Sequence, residues 1–407
     1  MSEPDDHDPP PVQAPPAEPS LADRFRRLIA DTGPISVAQF MGEANARYYA
    51  ARDPLGATGD FVTAPEISQM FGELVGLWLT DLWLRAGRPA HAVFVELGPG
   101  RGTLAADALR AMAQHGLTPP VHLVEGSPAL RRVQQVAVPG AAFHDDLSSV
   151  PQDAPLLLVA NEFLDALPVR QLVRTEAGWR ERMVGLDAEG RFVFVAGSRP
   201  MNAAVPPELA SGLSLEAPDS PPFPALPPLA AGALPPGRSG LDSPPEPGPP
   251  HAEATAGTVI ETCPAAAAAV EEIATRLAKQ GGAALIVDYG HASPRTGSTL
   301  QAVRRHRKVE VFASPGEADL TAHVDFASLA PLAQARGARW LGTVEQGAWL
   351  GAMGLRQRAA ALAGRFPQRS EELASAVERL AGADQMGVLF KVMGLAAPGW
   401  PDGAGFG

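Results

Sequence analysis

The chain is nearly free of cysteine, with Cys263 alone among 407 residues. A single thiol excludes an intramolecular disulfide and a cysteine-built zinc site, and it suits a reducing compartment. Long apolar runs are missing as well. None reaches the roughly 18 consecutive apolar residues that a membrane-spanning helix needs, so membrane insertion is not expected. The N-terminus, MSEPDDHDPPP, lacks the basic start and apolar core of a secretory signal. It also lacks the arginine-rich, acid-poor character of a transit peptide, and the expected compartment is the bacterial cytoplasm. No internal repeat is visible. The net acidity carries little information about partners, because it is local. Residues 1–20 and 201–257 are each −5, which leaves −2 of the formal −12 for the rest. The same two stretches hold 22 of the 42 prolines. Residues 1–20 therefore read as a disordered tail and 200–257 as a disordered, proline-rich linker.

What is present is organised around VFVELGPGRGT, Val93 to Thr103. β-Branched and aromatic residues end on an acid, Glu96, followed by Gly98, Gly100 and Gly102 and the start of a helical run. A buried strand, a glycine turn and a helix N-terminus make a nucleotide-binding corner, because the backbone can approach a ligand and unpaired N–H groups face it. Strands are expected at Ala92–Glu96, Val121–Glu125, Ala141–Asp145, Leu156–Asn161 and up to Asp288, separated by helices. Such apolar runs describe a mostly parallel sheet covered on both faces. Ahead of it, residues 21–91 read as a helical subdomain, with one long helix that has Pro65 in its first turn and is ended by Gly87. Residues 169–196 break the alternation with three short strands, an antiparallel insertion. The core thus comprises 92–199 and 258–395. Gly297 to about Leu320 reads as a long loop, Trp349–Ala363 as one helix and 396–407 as a loose tail.

Three cofactors compete for the corner. No Lys follows the glycines as a P-loop requires, so nucleotide triphosphate hydrolysis is excluded. A dinucleotide site wants a third glycine where Thr103 stands. S-adenosylmethionine fits a looser GxG turn after an acid-ended strand, and it is the better match, with NAD the alternative. Glu125, at the tip of the second strand, suits the ribose hydroxyls of either. Asp145 and Asp146 end the third strand, where a carboxylate would meet the adenine amine. Asn161, Glu162 and Asp165 follow the fourth strand, where an open α/β sheet places its chemistry. Each has a plainer reading. Glu96 could cap a turn, Asp145 and Asp146 could be turn residues, and Asn161 and Asp165 could cap helices. The basic Gln301–Glu310 segment is too short and isolated to argue for nucleic acid.

Several stretches together resemble one family, the MidA-like methyltransferases. They are GDFVTAPEISQMFGEL (59–74), VELGPGRGTLAAD (95–107), ANEFLDALPVRQ (160–171), DYGH (288–291) and EADLTAHVDF (317–326). The resemblance covers about 21–199 and 258–395. It implies a class I, Rossmann-like α/β fold, S-adenosylmethionine as methyl donor, and methylation of a protein arginine. The family includes a mitochondrial assembly factor of respiratory complex I, so the implied partner is the quinone-proximal subunit of that complex's peripheral arm; a homodimer is compatible. Carried over by position, Gly98 and Gly100 match the cofactor turn, Glu125 the ribose acid and Asp145 the acid of the third strand. Asn161, Glu162 and Asp165 match the reaction motif, and Asp60 matches the GDF motif that closes over the cofactor. The chain departs from the family pattern at Tyr48-Tyr49, which lacks a histidine–proline segment, and in its long 201–257 insertion.

Overall fold

The computed structural model describes residues 19–51, 62–205, 255–305 and 307–406. Its centre is a sheet of seven principal strands: β1 Val93–Leu97, β2 Val121–Val124, β3 Ala142–His144, β4 Leu156–Asn161, β5 Gly282–His291, β6 Arg339–Glu345 and β7 Phe390–Ala396. Their order is β3-β2-β1-β4-β5-β7-β6. β1 to β5 run parallel, whereas β7 is antiparallel to both β5 and β6. Alternate residues of each strand enter opposite layers. Phe94, Leu157, Val159, Leu285 and Val392 face one core, and Val95, Leu158, Ala160, Ile286 and Met393 the other. Period-two alternation of uniformly apolar residues is what a sheet covered on both sides requires.

The helical subdomain opens with α1 (Leu21–Thr32) and α2 (Val37–Ala51), and continues with α3 (Ala64–Ile67) and α4 (Gln69–Arg85). The single helix expected from Pro65 is broken at Ser68, whose backbone is extended and whose hydroxyl accepts from Met70 N at 3.3 Å. Serine is a strong N-cap, and here capping outweighs a continuous apolar stripe. α4 packs on α5 (Thr103–Ala113) at close range: a Cβ on Gly76 would lie 2.5 Å from the carbonyl oxygen of Ala108. The opposite face of the sheet is covered by the helices Pro264–Gln280 and Phe326–Ala335.

The antiparallel insertion comprises Arg170–Thr175, Gly178–Leu186 and Phe192–Pro200. Two segments distant in sequence, Ile35–Ser36 and Val259–Thr262, extend it to five strands. The region read as a loop before Leu320 is instead a small sheet of Gln301–Arg304, Arg307–Val309 and Asp319–Thr321. Its strands are three or four residues long and charged, too short for periodicity to register. The helix expected over 349–363 is two, Gln346–Ala352 and Leu355–Arg365, divided at left-handed Gly354 (φ +85°). The C-terminal segment expected to be loose is pinned. Ala404 O accepts from Trp78 Nε1 at 3.1 Å, and Phe406 meets the Trp78 ring edge-on at 6.0 Å. The disordered readings of residues 1–18 and 206–254 lie outside the described residues. Among the described residues, no helix is long and apolar enough to cross a membrane.

Candidate active site

β1 and β4 are neighbours from which the sheet is wound in opposite directions, and the crevice beyond their carboxyl ends is where an open α/β sheet holds ligands. A cavity of about 680 Å³ lies there. One wall is the glycine corner. Gly98, Gly100 and Gly102 have φ of +60°, +54° and +82°, a region that L side chains seldom enter. A Cβ on Gly98 would also stand 2.8 Å from the Phe163 ring. Gly102 leads directly into α5, so the turn delivers the backbone to a helix N-terminus.

Two acids line this wall. Glu96 is 2% exposed, and burial pushes its carboxyl up to about 8, opposed only by the Ala105 N–H. Its Oε2 is buried without a hydrogen-bond partner among the described residues. Glu125 Oε1 accepts from Ser127 N at 2.7 Å and Oε2 from Gln134 Nε2 at 3.1 Å. Gln134 also donates to Gly100 O at 2.7 Å, which ties the acid to the glycine turn. Burial raises the Glu125 carboxyl as well. Glu125 and Phe163 border a second space of about 290 Å³, lined further by Asp145 and Asp146. Both of those aspartates are exposed. Asp145 pairs with Arg131 at 2.6 Å, and Asp146 accepts from Ser148 N at 2.9 Å.

The floor is the turn after β4. Asn161 is the last residue of β4 and Glu162 sits at φ +50°, a strained conformation for a side chain of its size. Glu162 Oε1 accepts from Ala64 N at 3.0 Å and from Asn161 Nδ2 at 3.3 Å. Burial, with Asp165 nearby, pushes its carboxyl up to about 8. Asn161 Oδ1 is buried without a partner among the described residues. Asp165 does not reach the cavity wall. It is 7% exposed, its carboxylate accepts from the Tyr289 hydroxyl, and burial raises it to about 6.

What fixes this turn is Asp288, 1% exposed in β5. Its Oδ2 accepts from the backbone N–H groups of Phe163, Leu164 and Asp165 at 3.1, 2.8 and 3.2 Å, and Oδ1 from Tyr289 N at 2.9 Å. Burial and the carboxylates of Asp165 and Glu162 raise its affinity for a proton. On the far side, Asn45 of α2 donates to Ala166 O at 3.1 Å and Leu320 O at 2.7 Å. Tyr49 of α2 lines the cavity and hydrogen-bonds Asp319 of the small sheet. Glu66 of α3 also lines it, accepting from the Thr103 hydroxyl at 2.5 Å.

The structure therefore brings Glu96, Gly98, Gly100, Glu125, Asn161 and Glu162 around one cavity, and Asp145 and Asp146 around its neighbour. Asp165 stands behind that wall, and Asp60 lies outside the described residues. The sequence reading assigned no role to Asp288, Tyr289, Asn45, Tyr49 or Asp319. For Asp288 a signal existed, an acid interrupting an otherwise apolar strand.

Comparison with known proteins bears on this arrangement. Residues 74–344 match a family described as S-adenosyl-L-methionine-dependent methyltransferases. The chain is 34% identical to the mitochondrial protein arginine methyltransferase NDUFAF7 of Danio rerio, over 91% of this chain and 86% of that protein. It is 33% identical to the human protein of the same name, over 93% and 85%. Among solved structures, a Burkholderia thailandensis protein bound to S-adenosyl-homocysteine superposes with a TM-score of 0.73. That match has 29% identity and covers 92% of this chain and 91% of the other.

Proposed function

The chain belongs to this family of S-adenosyl-L-methionine-dependent methyltransferases, and from that premise we propose that it methylates an arginine side chain of a protein in the cavity between β1 and β4. The cavity suits the cofactor. Glu96 offers a buried carboxylate oxygen with no partner among the described residues, and the glycine turn leaves the backbone approachable. Glu96, Gly98 and Gly100 would hold the cofactor's methionyl end and Glu125 its ribose hydroxyls, with Asp145 and Asp146 beside the adenine. Asp60 keeps its assignment on the resemblance alone. When bound, the cofactor supplies a methyl group on a sulfonium.

The observation that carries the arginine reading is Glu162, a carboxylate raised to about 8 on the cavity floor, with no cation among the described residues paired to it. A buried acid in that state gains most from a ligand cation. A guanidinium is planar and can be gripped by a carboxylate through paired hydrogen bonds, which aims one nitrogen. On accepting the methyl group that nitrogen would give up a proton, and Glu162 would be the group placed to take it. Holding the acceptor in line is the larger part of the catalysis. Asn161 braces Glu162, while Asp165, anchored on Tyr289, holds the turn rather than the substrate. The names of the curated relatives support a protein arginine as acceptor. The resemblance points to the quinone-proximal subunit of complex I, dimethylated during assembly on the cytoplasmic side in a bacterium.

The test is incubation of the purified chain with labelled S-adenosylmethionine and that subunit in unassembled form, followed by mass spectrometry. Methylarginine is the expected product. Label confined to lysine, glutamine or small molecules would overturn the reading.

A further inference from the structure

The two acids expected to meet the adenine base each already have one oxygen engaged by the protein. Asp145, 86% exposed, gives Oδ1 to Arg131 at 2.6 Å. Asp146 caps the turn Leu147–Ser149, its Oδ1 accepting from Ser148 N at 2.9 Å and from the Ser148 hydroxyl at 2.5 Å. A third carboxylate lines the same 290 Å³ cavity: Glu272, of the Pro264–Gln280 helix. It makes no hydrogen bond or close ion pair with any described residue, and the charge it feels is that of the Arg276 guanidinium one turn further along the helix.

The helix presents Glu272 to that cavity for a mechanical reason. Ala269, Glu272 and Arg276 recur at helical spacing on one face. Arg276 is 5% exposed, and its guanidinium donates to Leu147 O at 2.6 Å, Val150 O at 3.2 Å and Pro151 O. The turn after β3 is thereby tied to the helix one turn beyond Glu272. Ala269, a methyl only, keeps the space beside Phe163 open for a flat ring. Glu125, Gly98, Gly126 and Phe163 border both cavities, so a nucleoside with its ribose at Glu125 has its base in the smaller one.

We propose that Glu272 accepts the hydrogen bond from the exocyclic amine of the cofactor's adenine, and that Arg276 positions the surrounding turn. The assignment rests on the cofactor site proposed above. It predicts discrimination between an amine and a carbonyl at that place on the purine, since a carboxylate attracts the first and repels the second. A hydrogen bond to a charged group is worth roughly tenfold or more in affinity.

Calorimetric titration with S-adenosylhomocysteine and S-inosylhomocysteine tests it. Wild type is expected to prefer the adenine compound by at least about tenfold. Glu272→Ala is expected to bring the ratio close to one through lost adenine affinity, and Glu272→Gln, still an acceptor, to keep part of it. Melting temperatures of the variants establish that they are folded. An unchanged ratio in folded Glu272→Ala overturns the proposal, as does collapse of the ratio in Asp145→Ala with Glu272 intact. Binding of neither compound by wild type overturns the cofactor reading, and this assignment with it. Binding of both with equal affinity overturns the assignment alone.

Discussion

Glu73 and Glu96 are the same residue type at nearly the same burial, 6% and 2% exposed, and they are in opposite states. Glu73, on α4, accepts from Arg358 Nε at 2.8 Å, Arg110 at 3.2 Å and Gln69 at 3.0 Å. Burial alone would raise its carboxyl, but the hydrogen bonds from Arg358 and Arg110 outweigh it and hold it below the usual range. Glu96 has burial without the arginines and stands at about 8, beside Glu162 at the same value. A buried charge is tolerated when the protein supplies its partner, and otherwise it takes a proton until something else arrives. Glu73 is a rivet between helices; no arginine among the described residues does the same for Glu96 or Glu162.

The contrast can be broken experimentally, and the largest effect is expected at Glu162. Glu162→Gln keeps the shape and removes the charge; single-turnover methyl transfer should fall about 100-fold or more while S-adenosylhomocysteine affinity changes by less than about threefold. Near-wild-type transfer would move Glu162 out of the chemistry. Next is Glu96→Gln, expected to weaken cofactor binding by about tenfold to 30-fold in titration. The same variant should melt higher than wild type at pH 9 without ligand. A carboxyl whose folded value exceeds its unfolded one loses stability as pH rises from the unfolded value through about 8. Glu73→Ala should act in the other sense, costing about 1–2 kcal/mol, because both arginines are partly exposed and can turn to water. The Glu73 contribution is complete above the usual glutamate range and lost as pH falls through its lowered value. Thermal melts from pH 3 to 9 would separate the two slopes; parallel pH dependence in both variants would erase the distinction. The smallest effect is a release of up to about one proton when cofactor binds at pH 7, read from calorimetric heats in buffers of different ionisation enthalpy. Zero release would mean that cofactor binding leaves the protonation of Glu96 unchanged.

Residues whose role is local were readable from sequence. The β1 strand, the glycine corner and the acid-ended β2 each declare themselves within a dozen residues, and Leu156–Asn161 falls on the boundaries of β4. Roles set by distant contacts were not. Asp288 and Leu164 are joined across 124 positions, and nothing near either residue announces the bond. Asp165 looked like its neighbour Glu162, yet of the two only Glu162 lines the cavity. Asp145 and Asp146 line the expected space, and only their pairing with Arg131 and Ser148 shows that they are engaged. Short charged strands such as Arg307–Val309 are held by pairing with a neighbour, here Gln301–Arg304, so they leave no period of their own.

The position of β7 also bears on how the protein is made. It is inserted between β5 and β6, although it follows both in the chain. During synthesis β6 therefore has no strand to pair with in the central sheet, and the free edge of β5 stays open until the ribosome has passed Ala396. A nascent chain stalled anywhere before that point exposes an unpaired apolar edge, the kind that invites association with other chains. Of the central sheet's strands, the one that closes the gap between β5 and β6 is thus the last to be synthesised.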